Sequence, residues 1–358
     1  MSKSVVYFQE VKDIRDKVLV RAKFKQIIKG SGLCEGVEKG ELVPIKIHMG
    51  EKGNTGHVDA EVVKALIDKL KSKAAKPFLT DTNVLYQGRR VNAVDHMMLA
   101  AEHGFSLSAL GVPVFISDGL MGENAVDVTI NQKHFKSVNI ARPVIYFDTI
   151  VSVAHVTGHM LTGFAASIKN MGMGFASRSG KLRQHSNIKP HVKVNNCVLC
   201  RRCIEHCPVK AIREKDSRAF IDEAVCVGCG ECIAACKFAA ISDDYGEDAK
   251  VVVEKMVEYA YGVLLRVKRK VFFNFAVRIT KNCDCMAKDE PRIVPDIGIF
   301  ASSDPVACDK AAADMVCEKA GGDVFKKVYP QADFYLHQLQ YAQDIGLGNL
   351  EYGLVRIQ

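Results

Sequence analysis

The sequence predicts an α/β fold: a mostly parallel sheet covered by helices, with a small α+β domain inserted into it. Three observations lead there. Short β-rich runs alternate with amphipathic helical stretches, the pattern of βαβ units around a covered sheet. That alternation stops near Lys189 and resumes near Tyr245. In the gap lie eight of the chain's 13 cysteines, within the forty residues from Cys197 to Cys236. Residues 1–188 and 245–358 are therefore read as two parts of one α/β body, and residues 189–244 as an insertion. An insertion is tethered at both ends and stays beside a fixed place on its host, whereas a terminal appendage wanders.

Residues 5–8 form a β-rich run, and 13–28 follow with Ile14, Val18, Ala22 and Ile28 at helical spacing, closed by Gly30-Ser31-Gly32. Residues 43–49 read as a strand, and 59–70 as a helix with Val62, Val63, Leu66, Ile67 and Leu70 on one face. Phe78-Leu79-Thr80 is a strand ending at Asp81. A helix is expected over 92–103, then strands over 113–117, 126–130 and the long apolar run 144–153. The Gly/Met/Ser-rich stretch from Asn170 to His185 has no clear period. Beyond the cysteine block the pattern predicts a helix over 254–265, strands over 271–277 and 296–301, helices over 305–320 and 333–345, and a last strand over 350–357. Ser303-Asp304-Pro305 supplies an N-cap and a proline at the first helical position. In sheets of this kind chemistry gathers at the carboxyl ends of the strands.

The cysteine block repeats one pattern. Cys197, Cys200, Cys203 and Cys207-Pro208 give C-x2-C-x2-C-x3-C-P, and Cys226, Cys229, Cys232 and Cys236 repeat the spacing with Lys237 in place of proline. This is the run of bacterial two-cluster ferredoxins, in which three thiolates of one run hold a cube and the fourth crosses to the other cluster. The expected ligands are Cys197, Cys200, Cys203 and Cys236 for one [4Fe-4S] cluster, and Cys226, Cys229, Cys232 and Cys207 for the second. Tight spacing wraps three thiolates around one face of a cube and leaves backbone N–H groups free to hydrogen-bond the sulfurs. Zinc ribbons use paired C-x2-C knuckles instead, and a disulfide framework does not require this register.

Bulk properties bound the rest. A length of 358 residues exceeds one average domain, so the main core lies outside the cysteine block. Hydrophobic residues make up 48% and charged residues 25%, an ordinary globular balance that argues against long disorder. The formal charge of +8 omits the negative charge that thiolate-bound clusters would bring. With no tryptophan and no basic stretch interleaved with aromatics, a nucleic-acid partner is not expected. Residues 1–10 lack the apolar core of a signal peptide, and no run reaches the roughly 18 apolar residues of a membrane span. The expected location is cytoplasmic, where Cys34, Cys283, Cys285, Cys308 and Cys317 stay free or bind metal.

Outside the block, Cys283-Asp284-Cys285 reads as loop beside Asn282 and Asp289. Two thiols one residue apart chelate a soft metal only on an irregular backbone; otherwise they are a redox dithiol or plain loop cysteines. His155 and His159 have the i, i+4 spacing of helical ligands, but Val156, Thr157 and Gly158 favour a loop. Residues 50–57, Gly-Glu-Lys-Gly-Asn-Thr-Gly-His, join a strand to a helix where backbone N–H groups can meet an anion, without the pattern of a Walker loop. Asp81, Asn83, Asp118 and Asp296 sit at strand ends, where such residues are commonly turn formers. Asp309 lies inside a helix beyond the reach of capping.

The chain as a whole resembles the family DUF362, specifically its iron–sulfur branch. The residues that carry the resemblance begin with Lys46-Ile47-His48-Met49-Gly50-Glu51, Asp81-Thr82-Asn83, Gly88-Arg89-Arg90 and Ser117-Asp118-Gly119. They continue through Gly158-His159, Lys169-Asn170-Met171-Gly172-Met173, Gly180-Lys181, Gln184-His185, Cys283-Asp284-Cys285 and Asp304-Pro305-Val306-Ala307. Members without the cysteine block keep the flanking Lys-Asn and Asp-Pro-Val-Ala segments, as an insertion requires. Thr157 is a departure, since many members carry lysine before the Gly-His pair. The resulting expectation is a reductase that takes low-potential electrons from a donor protein such as a ferredoxin. Its two [4Fe-4S] clusters pass them to a small-molecule substrate or metal site on the α/β body. Candidate catalytic residues are His48, His155, His159, Lys169, Asn170 and Asp309, with Cys283 and Cys285 as ligands of a third metal or Fe–S centre. Two alternatives are an electron-carrying adaptor that docks to a partner enzyme and a reductive activator of another metalloprotein.

Overall fold

The strand Arg269–Ala276 is buried along its last six residues and lies near the middle of an eight-stranded sheet. From edge to edge the order is Tyr352–Arg356, Ser4–Glu10, Gly298–Ser302, Arg269–Ala276, Thr149–His155, Leu42–Ile47, Lys76–Asp81 and Val114–Ile116. Every neighbouring pair is parallel except the two that involve Gly298–Ser302. This is a computed structural model, and it describes residues 3–85, 88–185, 190–207, 209–226, 232, 235–236, 238, 240–242, 249–330 and 334–358. Cys229 and the expected domain boundaries at 188–189 and 244–245 lie outside the described residues.

Strand alternation feeds two cores. Val271, Phe273 and Phe275 face the helices Lys17–Ser31 and Ala60–Ser72, where the Phe24 ring meets Phe273 edge-on at 5.0 Å. Phe272 and Ala276 point the other way, toward helices Ala249–Leu264 and Pro305–Ala320. Helix starts follow from side-chain caps, of which the one at Asp304 was expected. Asp59 accepts from the Glu61 amide, Asn92 from the Asp95 amide, and Asp304 from the amides of Val306 and Ala307 after Pro305.

The structure departs from the sequence expectation at two places that matter for the site. The apolar run 144–153 is split into a short 3-10 turn, Arg142–Tyr146, and the strand Thr149–His155. Pro143 near the start of that turn lacks an N–H, so the ladder begins only beyond it. The stretch from Asn170 to His185, aperiodic in sequence, contributes to two helices, Ser167–Gly172 and Arg178–His185. Its glycines are there for close approach: a Cβ on Gly172 would stand 2.2 Å from the Met256 carbonyl oxygen, and one on Gly174 would stand 2.3 Å from Lys46 Cε. A helix buried on several sides shows no apolar stripe.

The cysteine-rich residues form two small antiparallel pairs, His191–Val192 with Ile241–Ser242 and Ile212–Lys215 with Arg218–Ile221. Cys203, Cys232 and Cys236 pack with Ile212, Ala219, Ile221 and Ile241 in an apolar cluster of their own. Among the described residues no helix is long and apolar enough to cross a membrane.

Candidate active site

Four strands of the sheet end at one cavity of about 720 Å³. Lys46 and His48 come from the end of Leu42–Ile47, Asp81 from Lys76–Asp81, and His155 from Thr149–His155. Lys169 and Asn170 come from the helix Ser167–Gly172, and Cys283 and Cys285 from the segment after Arg269–Ala276. Of the eight candidates outside the cysteine block, seven line this cavity and Asp309 does not.

The sulfur pair sits on irregular backbone. Lys169 Nζ reaches Cys283 Sγ at 3.5 Å and Cys285 Sγ at 3.9 Å, so both sulfurs turn the same way, as a regular strand would forbid. Cys285 also hydrogen-bonds Cys283, and this contact, with Lys169, outweighs burial and lowers the Cys283 thiol to about 6. His48 approaches from the other side. Its Nδ1 accepts from the Gly50 amide at 3.1 Å, so the neutral ring carries its proton on Nε2 and presents it to Cys285 Sγ at 3.4 Å. Burial, then the Arg90 charge, keeps that ring neutral.

His155 is in the opposite state. Its Nδ1 lies 2.9 Å from Asp284 Oδ2 and its Nε2 lies 2.6 Å from the Val277 carbonyl, so both nitrogens can donate at once only as an imidazolium. Burial opposes that charge, but Asp284 overrides it and raises the His155 pKa. With both ring nitrogens occupied, His155 works on the geometry of the Cys-Asp-Cys turn. His159 lies on a separate short strand, Thr157–His159, so the two histidines do not share a helix. Among the described residues no group of three or more His, Cys, Asp or Glu side chains closes on a point as a single-metal site does.

Asn170 and Asp309 set the helix Ser167–Gly172. The Asn170 amide accepts from Lys46 Nζ at 2.9 Å and donates to Ser152 Oγ at 2.9 Å, tying that helix to two strands. Asp309 accepts from the Ser167 and Ile168 amides, each at 2.9 Å, and from Asn274 Nδ2 at 2.7 Å. The helix has no cap of its own, so Asp309 caps it from a neighbouring helix and thereby aims Lys169.

Four charged residues outside the candidate catalytic set complete the wall. Lys46 pairs with Asp81 at 2.9 Å, and Arg90 pairs with Glu51 at 3.2 Å, all nearly solvent-free. Burial lowers the Lys46 pKa while Asp81 opposes the fall; Asp81 is depressed against burial, chiefly by Lys46. A lysine inside the run Pro44-Ile45-Lys46-Ile47 was a readable signal, because a charge in a covered strand needs a partner. Lys181 carried no such signal on its polar helix.

In the cysteine-rich region, Cys197, Cys200, Cys203 and Cys236 line one small hollow. Burial, then Cys236, Cys197 and Cys200 in turn, pushes the Cys203 thiol up to about 11. Backbone amides point at the sulfurs: Ala219 N–H to Cys197 at 3.4 Å, Ala211 N–H to Cys207 at 3.2 Å and Ala240 N–H to Cys236 at 3.3 Å.

Comparison with known proteins adds three findings. Short stretches resemble ferredoxins: 39 residues are 54% identical to an uncharacterized ferredoxin of Methanocaldococcus jannaschii, and 55 residues are 40% identical to a ferredoxin 7Fe of Hydrogenibacillus schlegelii. These matches cover 11% and 15% of this chain, and 24% and 70% of those proteins. The lactate racemase apoprotein of Thermoanaerobacterium thermosaccharolyticum superposes with a TM-score of 0.42 at 12% identity, over 88% of this chain and 57% of that one. Residues 43–314, most of the chain, match the family described as domain of unknown function DUF362. The chain belongs to that family.

Proposed function

We propose that this protein is an iron–sulfur reductase in which an inserted two-cluster ferredoxin-like domain, residues 189–244, supplies electrons to the cavity of the α/β body. Ferredoxin-like stretches in the chain support an electron-transfer role. The pairing of His191–Val192 with Ile241–Ser242 brings the two ends of the cysteine-rich region together, as an insertion requires. Cys197, Cys200, Cys203 and Cys236 are the crossed set that a two-cluster register expects for one [4Fe-4S] cube, and the amides aimed at their sulfurs suit it. Cys207, Cys226, Cys229 and Cys232 would hold the second. When bound, each cube exchanges one electron, so the two together deliver one pair. The tether is short. From His185, which lines the cavity, to His191 is six residues, at most about 22 Å of fully extended chain.

The observation that carries the reductase reading is the Cys283–Cys285 pair in the cavity wall, held by Lys169 and His48 as an activated dithiol. Oxidised to a disulfide, it would take up two electrons and two protons and return to two thiols, converting single electrons into a pair beside the substrate. His48, Lys169 and Asn170 then act on the sulfurs or their supports, His155 holds the turn, and Asp309 is a positioning residue. Iron and sulfide analysis tests this against a third metal centre. Alanine at both Cys283 and Cys285 should leave the metal content unchanged; a fall in iron would replace the dithiol by a metal site. A donor protein such as a ferredoxin and a small-molecule substrate are the partners this reading needs.

A further inference from the structure

The cavity wall holds a buried lysine, Lys181, with no carboxylate in ion-pair range among the described residues. Lys181 is 8% exposed, and its Nζ donates to two neutral oxygens, the Thr82 hydroxyl at 2.6 Å and the Ala176 carbonyl at 2.7 Å. Among the described residues it makes no ion pair; Asp118 and Asp81 act on it only from farther away. An ammonium has three hydrogens, so one donor direction remains. Thr157 lines the same cavity at 1% exposure, and its hydroxyl has no partner among the described residues. His159 Nδ1 accepts from the amides of Leu161 and Thr162 at 3.2 and 3.1 Å, which leaves the proton on Nε2 without a partner among the described residues.

The electrostatics agree. Burial, then Lys169, lowers His159 to about 3, so the ring is a neutral donor. His185 is lowered to about 4 by burial and then by His159, Lys169 and Lys181. Burying an ammonium with no carboxylate in direct contact is costly, and the cost falls when a ligand brings negative charge into contact with it. Val84, Leu85, Leu161 and Met173 give other parts of the cavity an apolar wall.

We propose that the cavity binds, at Lys181, the anionic oxygen group, carboxylate or phosphate, of a substrate with an apolar body. Lys181 supplies the charge, and Thr157 and His159, which line the same cavity, are neutral hydrogen-bond donors available to the ligand. The inference rests on the cavity being the substrate site and adds the substrate's class and orientation: acidic head toward Lys181, remainder toward Cys283 and Cys285.

Calorimetric titration of the holo-protein at low salt with benzoate, phenyl phosphate and benzamide tests it. At least one anion should bind saturably and about tenfold or more tighter than the neutral amide. Which anion binds better separates carboxylate from phosphate. Lys181→Met should remove the discrimination and Lys181→Arg should keep most of it. Thr157→Val, which leaves every charge in place, should weaken the anion about three- to tenfold. Equal binding of benzamide, no saturable binding by either anion, or unchanged anion affinity in Lys181→Met overturns the proposal. Should Lys181→Met fail to fold, unchanged affinity in Thr157→Val does so instead. No electron moves in this measurement, so an inactive reductase that still prefers the anion would sink the redox reading alone.

Discussion

In the cysteine-rich region, sulfurs gather from short sequence distances: Cys197, Cys200 and Cys203 span seven residues and share one hollow with Cys236. In the cavity, Cys285 meets His48 across 237 positions, and Cys283 meets Lys169 across 114. The first arrangement is fixed by spacing and survives almost any surrounding fold, so a reader of the sequence can find it. The second exists only because four strands of the sheet end together, and each of its residues alone resembles a turn former or a surface charge. The chemical consequence differs as well. Burial raises the Cys203 thiol to about 11, whereas Cys285 and Lys169 lower Cys283 to about 6, a thiolate in its own right.

The strongest way to break the contrast is Cys236→Ala. If the crossed register holds, this one change removes a ligand from the cube of the other cysteine run. It should cost roughly half the bound iron while leaving the α/β body folded, measured by iron analysis and circular dichroism. Loss confined to the second run's cluster would reverse the assignment.

Lys46→Met comes next. It leaves Asp81 in a nearly solvent-free wall with its closest cation gone, and should destabilise the body by about 3–5 kcal/mol in denaturant unfolding. A change under about 1 kcal/mol would mean that Arg90 alone satisfies Asp81. Asp309→Ala should cost about 1–3 kcal/mol by stripping the cap from Ser167–Gly172. It should also slow any reaction at Cys283 by loosening Lys169, although Asp309 never touches the cavity.

The gentlest probe is pH. Alkylation of Cys283 by iodoacetamide, mapped by mass spectrometry on the holo-protein, should be steady above about pH 6 and fall as acid protonates the thiolate below it. Lys169→Met should shift the fall upward, toward the ordinary cysteine range. An unshifted profile would remove Lys169 from the account.

What could be read in advance follows the same division. Strand and helix alternation, the cap at Asp304, both cysteine runs and the Cys-Asp-Cys loop rest on local pattern. The helices from Ser167 to His185 were hidden because their glycines serve contacts with Met256 and Lys46, which no local period records. Lys169 and Asn170 entered through family resemblance. Arg90 and Lys181 gave no local sign, since their burial depends on partners such as Glu51, Asp81 and Thr82 that are distant along the chain.

The central claim is that electrons held in the cysteine-rich region reach sulfur in the cavity wall. Anaerobic reductive titration of the air-oxidised holo-protein, with dithionite as the donor and electron paramagnetic resonance to follow the clusters, tests it directly. The account predicts about four electron equivalents per chain, two for the cubes and two for a Cys283–Cys285 disulfide, falling to about two when both cysteines are serine. An uptake of two equivalents in both proteins would contradict it, leaving two clusters with no sulfur acceptor in the cavity.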